Sequence, residues 1–276
     1  MSSEPVLPES PAFPTGLPSA ASAAAEAGPG VGRAALIAYG NFVFRHRNAL
    51  VPVAVVLLVL LTRPRPLGGN PRYDVLLDAL GFAVALCGQA VRVLVIGLAY
   101  IRRGGLNKRI AADRLVTDGV FAHCRHPLYL GNLLLFSGLM IIWNAPAAYV
   151  FGIGGVALTL FAMAIAEETF LRRKFGAEYD AYCARVRRFV PRLRGLRQTI
   201  GGFDFNWKRV LRKEYGTTFS WMTTALVLVV LGHVEWQGAA GAAPTVQAAA
   251  LGWLVLAALW GWARWMKKTR RLVSPD

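Results

Sequence analysis

Cysteine and acidic charge are both scarce in this chain. Its 276 residues hold three cysteines, Cys87, Cys124 and Cys183. That is an odd number with no paired spacing, which excludes a disulfide framework and makes free thiols the expectation. Only 17% of residues are charged, with 15 Asp and Glu against 31 Lys and Arg, while 55% are hydrophobic. This balance departs from soluble globular composition toward the membrane class. No Gly-Xaa-Ser-Xaa-Gly elbow occurs and no basic residue is obviously paired with Cys183, so covalent catalysis is not indicated. His123, Cys124 and His126 offer two or three metal ligands, but no second cluster completes a tetrahedral set, and no metal is expected. The net charge of +16 could suggest nucleic acid. The basic residues, however, are concentrated between long apolar segments, so lipid headgroups are the expected counter-charge and no nucleic-acid partner is expected.

What the chain does have is apolar length. Runs able to cross a bilayer, which takes about 20 helical residues, occur at 79–101, 127–143 (short), 147–166, 217–234 and 247–266. A sixth, 49–62, is short and interrupted upstream by Arg45, His46 and Arg47, leaving a full span and a re-entrant segment both open. The fold class is therefore all-α: a polytopic helical membrane protein with about six transmembrane helices. Residues 1–32, rich in Pro, Ala and Ser, read as a disordered tail rather than a signal peptide, since a basic n-region and a continuous apolar core are both missing. Residues 33–74 form a first membrane segment with its connector, 75–200 a core of three membrane helices with an amphipathic segment, and 201–276 an extension with two membrane helices.

Orientation follows from flanking bases. The loop at 102–126, the region 167–216 and the terminal "MKKTRR" are Lys- and Arg-rich, whereas "WNAPAA" and "VEWQGAAGAAPTV" contain neither. This places both termini on the cytoplasmic side, most simply of an inner membrane. The arginines of "RPRPLGGNPRYD" are a mild violation. Trp253, Trp260, Trp262 and Trp265 suit an interfacial belt, and the glycines of "FGIGGV" suit close helix packing rather than a nucleotide loop.

Four features at the basic face could carry chemistry. In "DRLVTDGVFAHCRHPLYLGN" (113–132), Asp118 and Gly119 make a turn, Val120 and Phe121 dip toward the membrane, and Pro127 starts a helix. His126 reads locally as a solvated interfacial histidine, while Gly131 allows close backbone approach. Glu167 and Glu168 end the fourth span, where carboxylates must face protein, water or a cation; Glu168 could instead pair with Arg172 along the helix. The short connector between spans three and four brings His126 and the glutamates to one mouth. In "KFGAEYDAYCARVRRFVPR" (174–192), Phe175, Tyr179 and Tyr182 recur at helical spacing, as in a membrane-surface helix or a lid. Gln89 and Arg92 lie inside the second span, where an arginine is either functional or paired with a carboxylate such as Asp78.

With "LVTDGVFAHCRHPLYLGNLL" followed about forty residues later by "EETFLRRKFGAEYDAYCARVRRFVP", the chain resembles the isoprenylcysteine carboxyl methyltransferase and phospholipid N-methyltransferase superfamily over residues 76–192. The resemblance implies a membrane methyltransferase with a cytoplasmic S-adenosyl-L-methionine pocket lined by Leu115, Val116, Phe121, His126, Pro127, Leu128 and Tyr129. Gly131 would let the helix approach the cofactor, Glu167 and Glu168 would contact its polar groups, and Glu168 with Arg92 are the catalytic candidates. The chain departs from the family at Phe121, where a tyrosine is usual, and at Asp113, where a histidine is usual. The apolar run "FAMAIA" also replaces the arginines that suit a substrate carboxylate. A lipid or isoprenoid-type acceptor entering from the bilayer is therefore expected rather than a prenylated protein. An NADPH-dependent reductase of the sterol-reductase type and a non-catalytic membrane scaffold are the alternatives; the paired glutamates disfavour a phosphorylated dinucleotide.

Overall fold

A bilayer offers no water to the backbone, so long apolar runs must satisfy their N–H and C=O groups within each segment, as helices do. The computed structural model of the chain describes residues 30–65, 71–98, 110, 112, 114–202 and 204–272. Among the described residues the regular elements are all helical, as the composition requires. In chain order they are α1 (Val31–Leu61), α2 (Pro71–Leu98), a one-turn 3-10 helix (Gly119–Ala122), α3 (Pro127–Trp143) and a π-helical turn (Ala148–Ile153) running into α4 (Gly154–Phe175). Then follow α5 (Ala177–Arg185), α6 (Leu196–Gly201), α7 (Trp207–Gly241) and α8 (Ala243–Lys268). Leu36–Asp276 is one compact unit; of the preceding unit, Met1–Ala35, only residues 30–35 are described. The expected tail up to residue 29, the loop bases Arg102, Arg103, Lys108 and Arg109, and Asp113 lie outside the described residues.

Among the described residues, five helices are long and apolar enough to cross a membrane: α1, α2, α4 with its π-helical turn, α7 and α8. The short apolar helix α3 has 17 residues, about 25 Å at 1.5 Å per residue, against about 30 Å of hydrocarbon. The expected six spans thus become five long helices and one short one. The first differs most from expectation, because α1 runs unbroken through Arg45, His46 and Arg47. Two of the three find partners along their own helix: Arg47 stacks on Phe44, 4.3 Å from the ring centre, and His46 Nδ1 lies 2.9 Å from the Phe42 carbonyl. The "FGIGGV" glycines also behave unevenly, since Gly152 packs on Met140 while Gly154 and Gly155 face open space.

Lipid is as apolar as leucine, so helices in it associate through close packing and polar contacts rather than through a hydrophobic force. The α2–α3 pair shows how. A Cβ at Gly88 would stand 2.6 Å from both the Gly131 carbonyl and the Leu135 amide, and one at Gly81 2.7 Å from the Gly138 carbonyl. Glycines at both levels bring the two backbones together. From α7, Trp221, Ala225 and Leu228 join the same core as Ala85 of α2 and Leu135, Leu139 and Met140 of α3. α8 buries little beyond Ala263 and exposes Trp253, Trp262 and Trp265, in keeping with an aromatic belt.

Candidate active site

The loop before α3 is shaped from both ends. Asp118 is extended and Gly119 takes φ 58°, a left-handed conformation that costs glycine little, and the 3-10 turn follows. Pro127 occupies the first turn of α3, where its missing N–H is not needed. The segment after α5 then straps the loop down. Arg125 N and His126 N donate to the carbonyls of Arg187 and Arg188 (both 3.0 Å), and Arg192 N donates to the His123 carbonyl (3.0 Å). His123 is held at both ring nitrogens, by the Arg192 carbonyl (2.6 Å) and Thr199 Oγ1 (2.8 Å). The amphipathic helix expected over 174–192 is only α5 in its regular part. Gly176, at φ 53°, separates it from α4. Tyr179 and Tyr182 do not face lipid; they are buried against Leu115, Leu171 and Phe175, and the Tyr182 hydroxyl donates to the Phe121 carbonyl (2.7 Å).

This strap and hairpin assemble one polar centre. His126, 6% exposed, sits between the two glutamates, with Nε2 3.2 Å from Glu168 Oε1 and Nδ1 3.5 Å from Glu167 Oε2. It is not the solvated interfacial residue that its local sequence suggests. The Tyr129 ring lies parallel to it, 5.3 Å away with 4° between planes, and the Tyr129 hydroxyl donates to Glu167 Oε2 (3.0 Å). Burial pulls the His126 pKa down, but hydrogen bonds and charge from Glu167 and Glu168 more than offset this, so it rises above its ordinary 6.5.

The two carboxylates differ in environment. Glu168 is buried and held by Arg188 (2.8 and 2.7 Å), Arg125 (3.1 Å) and His126. Its expected partner Arg172 pairs instead with Asp180 at 2.6 Å, because α4 ends at Gly176 and α5 turns an acid toward it. The Glu167 side chain is 34% exposed. Its Oε2 is occupied, whereas Oε1 has no hydrogen-bond partner among the described residues. Arg125 and Arg188 were not among the expected site residues, since a loop arginine and one base in an arginine-rich run carry no local mark of a shared carboxylate.

The remaining expected residues separate in space. Leu115 packs on the α5 tyrosines, Val116, Phe121 and Leu128 are half-buried, and Pro127 is buried. Gly131 turns its open side toward α2, where a Cβ would meet Arg92 Cγ at 2.7 Å and the Gly88 carbonyl at 2.9 Å. Arg92, 2% exposed, is bonded to both carboxylate oxygens of Glu214 on α7 (2.9 Å each) and donates to Asn132. Its partner is therefore not Asp78, which faces His233 at 3.3 Å. Gln89 joins the same network, donating to Glu214 (3.2 Å) and accepting from Trp221 (3.0 Å).

A carboxylate with an uncommitted oxygen beside a stacked imidazole–phenol pair can take up a cation and a flat ring together. Three comparisons bear on what it serves. A family profile described as phospholipid methyltransferase matches residues 78–178, from α2 through α3 and α4 into α5. The nickel-cobalt-cadmium resistance protein NccN of Alcaligenes xylosoxydans xylosoxydans is 30% identical over 174 residues, which is 60% of this chain and 77% of that one. The cobalt-zinc-cadmium resistance protein CzcN of Cupriavidus metallidurans is 33% identical over 166 residues, 56% of this chain and 68% of that one. The protein-S-isoprenylcysteine O-methyltransferase of Schizosaccharomyces pombe is 33% identical over 123 residues, 41% of this chain and 48% of that enzyme. No solved structure gives a significant match. The matched region contains the His126–Glu167–Glu168 centre, and the chain belongs to the phospholipid and isoprenylcysteine methyltransferase superfamily as a membrane methyltransferase.

Proposed function

We propose that the methyl donor is S-adenosyl-L-methionine, held at the mouth formed by His126, Tyr129 and Glu167, and that the acceptor is a hydrophobic molecule reaching this mouth from the bilayer. The observation that carries the reading is the uncommitted Oε1 of a partly exposed Glu167, an acceptor for the donor's ammonium group. When bound, the donor supplies an activated methyl on a sulfonium, so the protein's contribution is chiefly alignment. Glu167 binds; Tyr129 presents a flat, electron-rich face. Glu168, tied to Arg125, Arg188 and His126, positions the imidazole rather than meeting the donor. Arg92, neutralised by Glu214, serves as a fastener between α2 and α7 rather than as an acceptor anchor. The Lys- and Arg-rich ends support a cytoplasmic position for this mouth and both termini.

Titration of detergent-purified protein with S-adenosylhomocysteine and with NADPH tests the donor. Saturable binding of S-adenosylhomocysteine is expected, weakened about tenfold or more in Glu167→Gln, the usual worth of a hydrogen bond to a charged group. Saturable binding of NADPH alone would overturn the reading, and unchanged affinity in Glu167→Gln would remove the site assignment.

A further inference from the structure

Beside the carboxylate centre, between the first half of α1 and the end of α4, lies a cavity of about 520 Å³. This is within the range of about 300–1,000 Å³ that suits small ligands. Phe44, Ile110 and Phe170 are among its apolar walls, and Asn41, Arg45, His46, Thr169 and Arg173 its polar ones. It adjoins the active site through a shared wall. Phe44 and Ile110 pack in the same cluster as Tyr129, Tyr129 bonds Glu167, and Ala166, which also lines the cavity, directly precedes Glu167.

Two arginines, one from each helix, line this cavity. Arg172 is paired with Asp180, Arg188 and Arg125 share Glu168, and Arg92 holds Glu214. Among the described residues, Arg45 and Arg173 have no carboxylate partner. Two exposed arginines on facing helices therefore line one hollow whose other walls are largely apolar. A guanidinium in such a place is best satisfied by an anion with two or more oxygens, which it can bind in a forked geometry. The apolar walls favour an anion attached to hydrocarbon, and just beyond Arg45 and Arg47 α1 continues as the apolar, exposed stretch that includes Val53, Val56, Leu57 and Leu60. A chain leaving the cavity would run along that surface.

We infer that this cavity takes the anionic head group, phosphate or carboxylate, of an amphiphilic acceptor, with Arg45 and Arg173 as its anchors. The apolar run before the paired glutamates left the acceptor without an anchor on α4 at that level; these two residues supply one from α1 and from the turn of α4 below. The inference rests on the donor standing at Glu167, whose neighbour Ala166 lines the cavity.

The test uses the full-length protein in detergent, titrated with a short-chain anionic lipid, dihexanoyl-phosphatidylglycerol, with its zwitterionic phosphatidylcholine counterpart, and with inorganic phosphate as competitor. The anionic probe should bind saturably, and Arg45→Gln with Arg173→Gln should weaken it about tenfold or more, the scale set by losing charge-assisted hydrogen bonds. The Arg45→Lys and Arg173→Lys pair, which keeps the charges without the fork, should bind between the unmodified protein and the glutamine pair, and Thr169→Phe should abolish binding by filling the cavity with both charges kept. Equal binding of the zwitterionic lipid, phosphate competing at the probe's own concentration, or unchanged affinity in both the glutamine pair and Thr169→Phe would each overturn the inference. Parallel titration with S-adenosylhomocysteine separates the two readings. Its affinity should be unaltered by the glutamine pair; a parallel loss would assign the cavity to the donor. Failure of the unmodified protein to bind S-adenosylhomocysteine, with probe binding intact, would remove the donor site alone.

Discussion

At the residue scale, Glu167 and Glu168 are adjacent and chemically identical, yet their surroundings give them different work. Removing the charge of Glu168 leaves Arg125 and Arg188 without their shared anion, and breaking such a buried pair costs about 3 kcal/mol or more. Glu168→Gln should therefore lower the thermal midpoint in detergent by several degrees, whereas Glu167→Gln should hardly move it while weakening donor binding; equal destabilisation by both would contradict the division of roles. His126 adds a pH dependence. Its folded pKa lies above the ordinary 6.5 because two carboxylates outweigh its burial. Its stabilising contribution is thus complete below the unfolded value of about 6.5 and is lost as pH rises through the higher folded value. The stability difference between the unmodified protein and His126→Gln should shrink as pH is raised from about 6 to about 9, and a gap that widens with pH would refute it. In the sequence both glutamates and His126 stood out, but Arg188 did not, since one arginine among many gains meaning only when the strap after α5 lays it across Glu168.

At the element scale, the α2–α3 contact has little room to yield. The neighbours of a Cβ at Gly88 are backbone atoms at 2.6 Å, which cannot rotate away. Gly88→Ala should cost about 1–3 kcal/mol, the range for overpacking a closed interface, and Gly155→Ala, facing open space, should be close to neutral; thermal unfolding in detergent compares them directly. Helix existence was legible from apolar length, and the start of α3 from Pro127. The ends were not. α1 passes through three polar residues, two of which, His46 and Arg47, bond back to their own helix, and α5 stops at Arg185 because the following residues pair with the 123–126 loop instead of with themselves.

At the scale of the whole molecule, α7 is bound into the core by a charge pair as well as by apolar packing. Arg92 and Glu214, both 2% exposed, are mutually dependent, and an arginine left without its acid inside a bundle is costly. Glu214→Ala should reduce accumulation of folded protein sharply, and pairing it with Arg92→Met should recover most of it, because the uncompensated charge is then gone. Truncation after residue 200 should resemble Glu214→Ala. Membrane-fraction yield and detergent size-exclusion profiles measure all three, and a truncated chain that behaves like the full one would show that α7 is dispensable.

By itself the sequence determined the helical membrane class, through apolar runs that no other backbone form can satisfy in lipid, and the family, through the motif around His126 and the paired glutamates that the family profile also covers. Only the tertiary structure decided which of two neighbouring carboxylates is spent on arginines and which keeps an oxygen without a partner among the described residues, that Arg92 answers to Glu214 rather than Asp78, and that Arg45 and Arg173 line one cavity. The reason is physical. Length and hydropathy act along one segment and can be read there, whereas a charge takes its role from its nearest opposite charge, which here lies 20, 122 or more residues away along the chain.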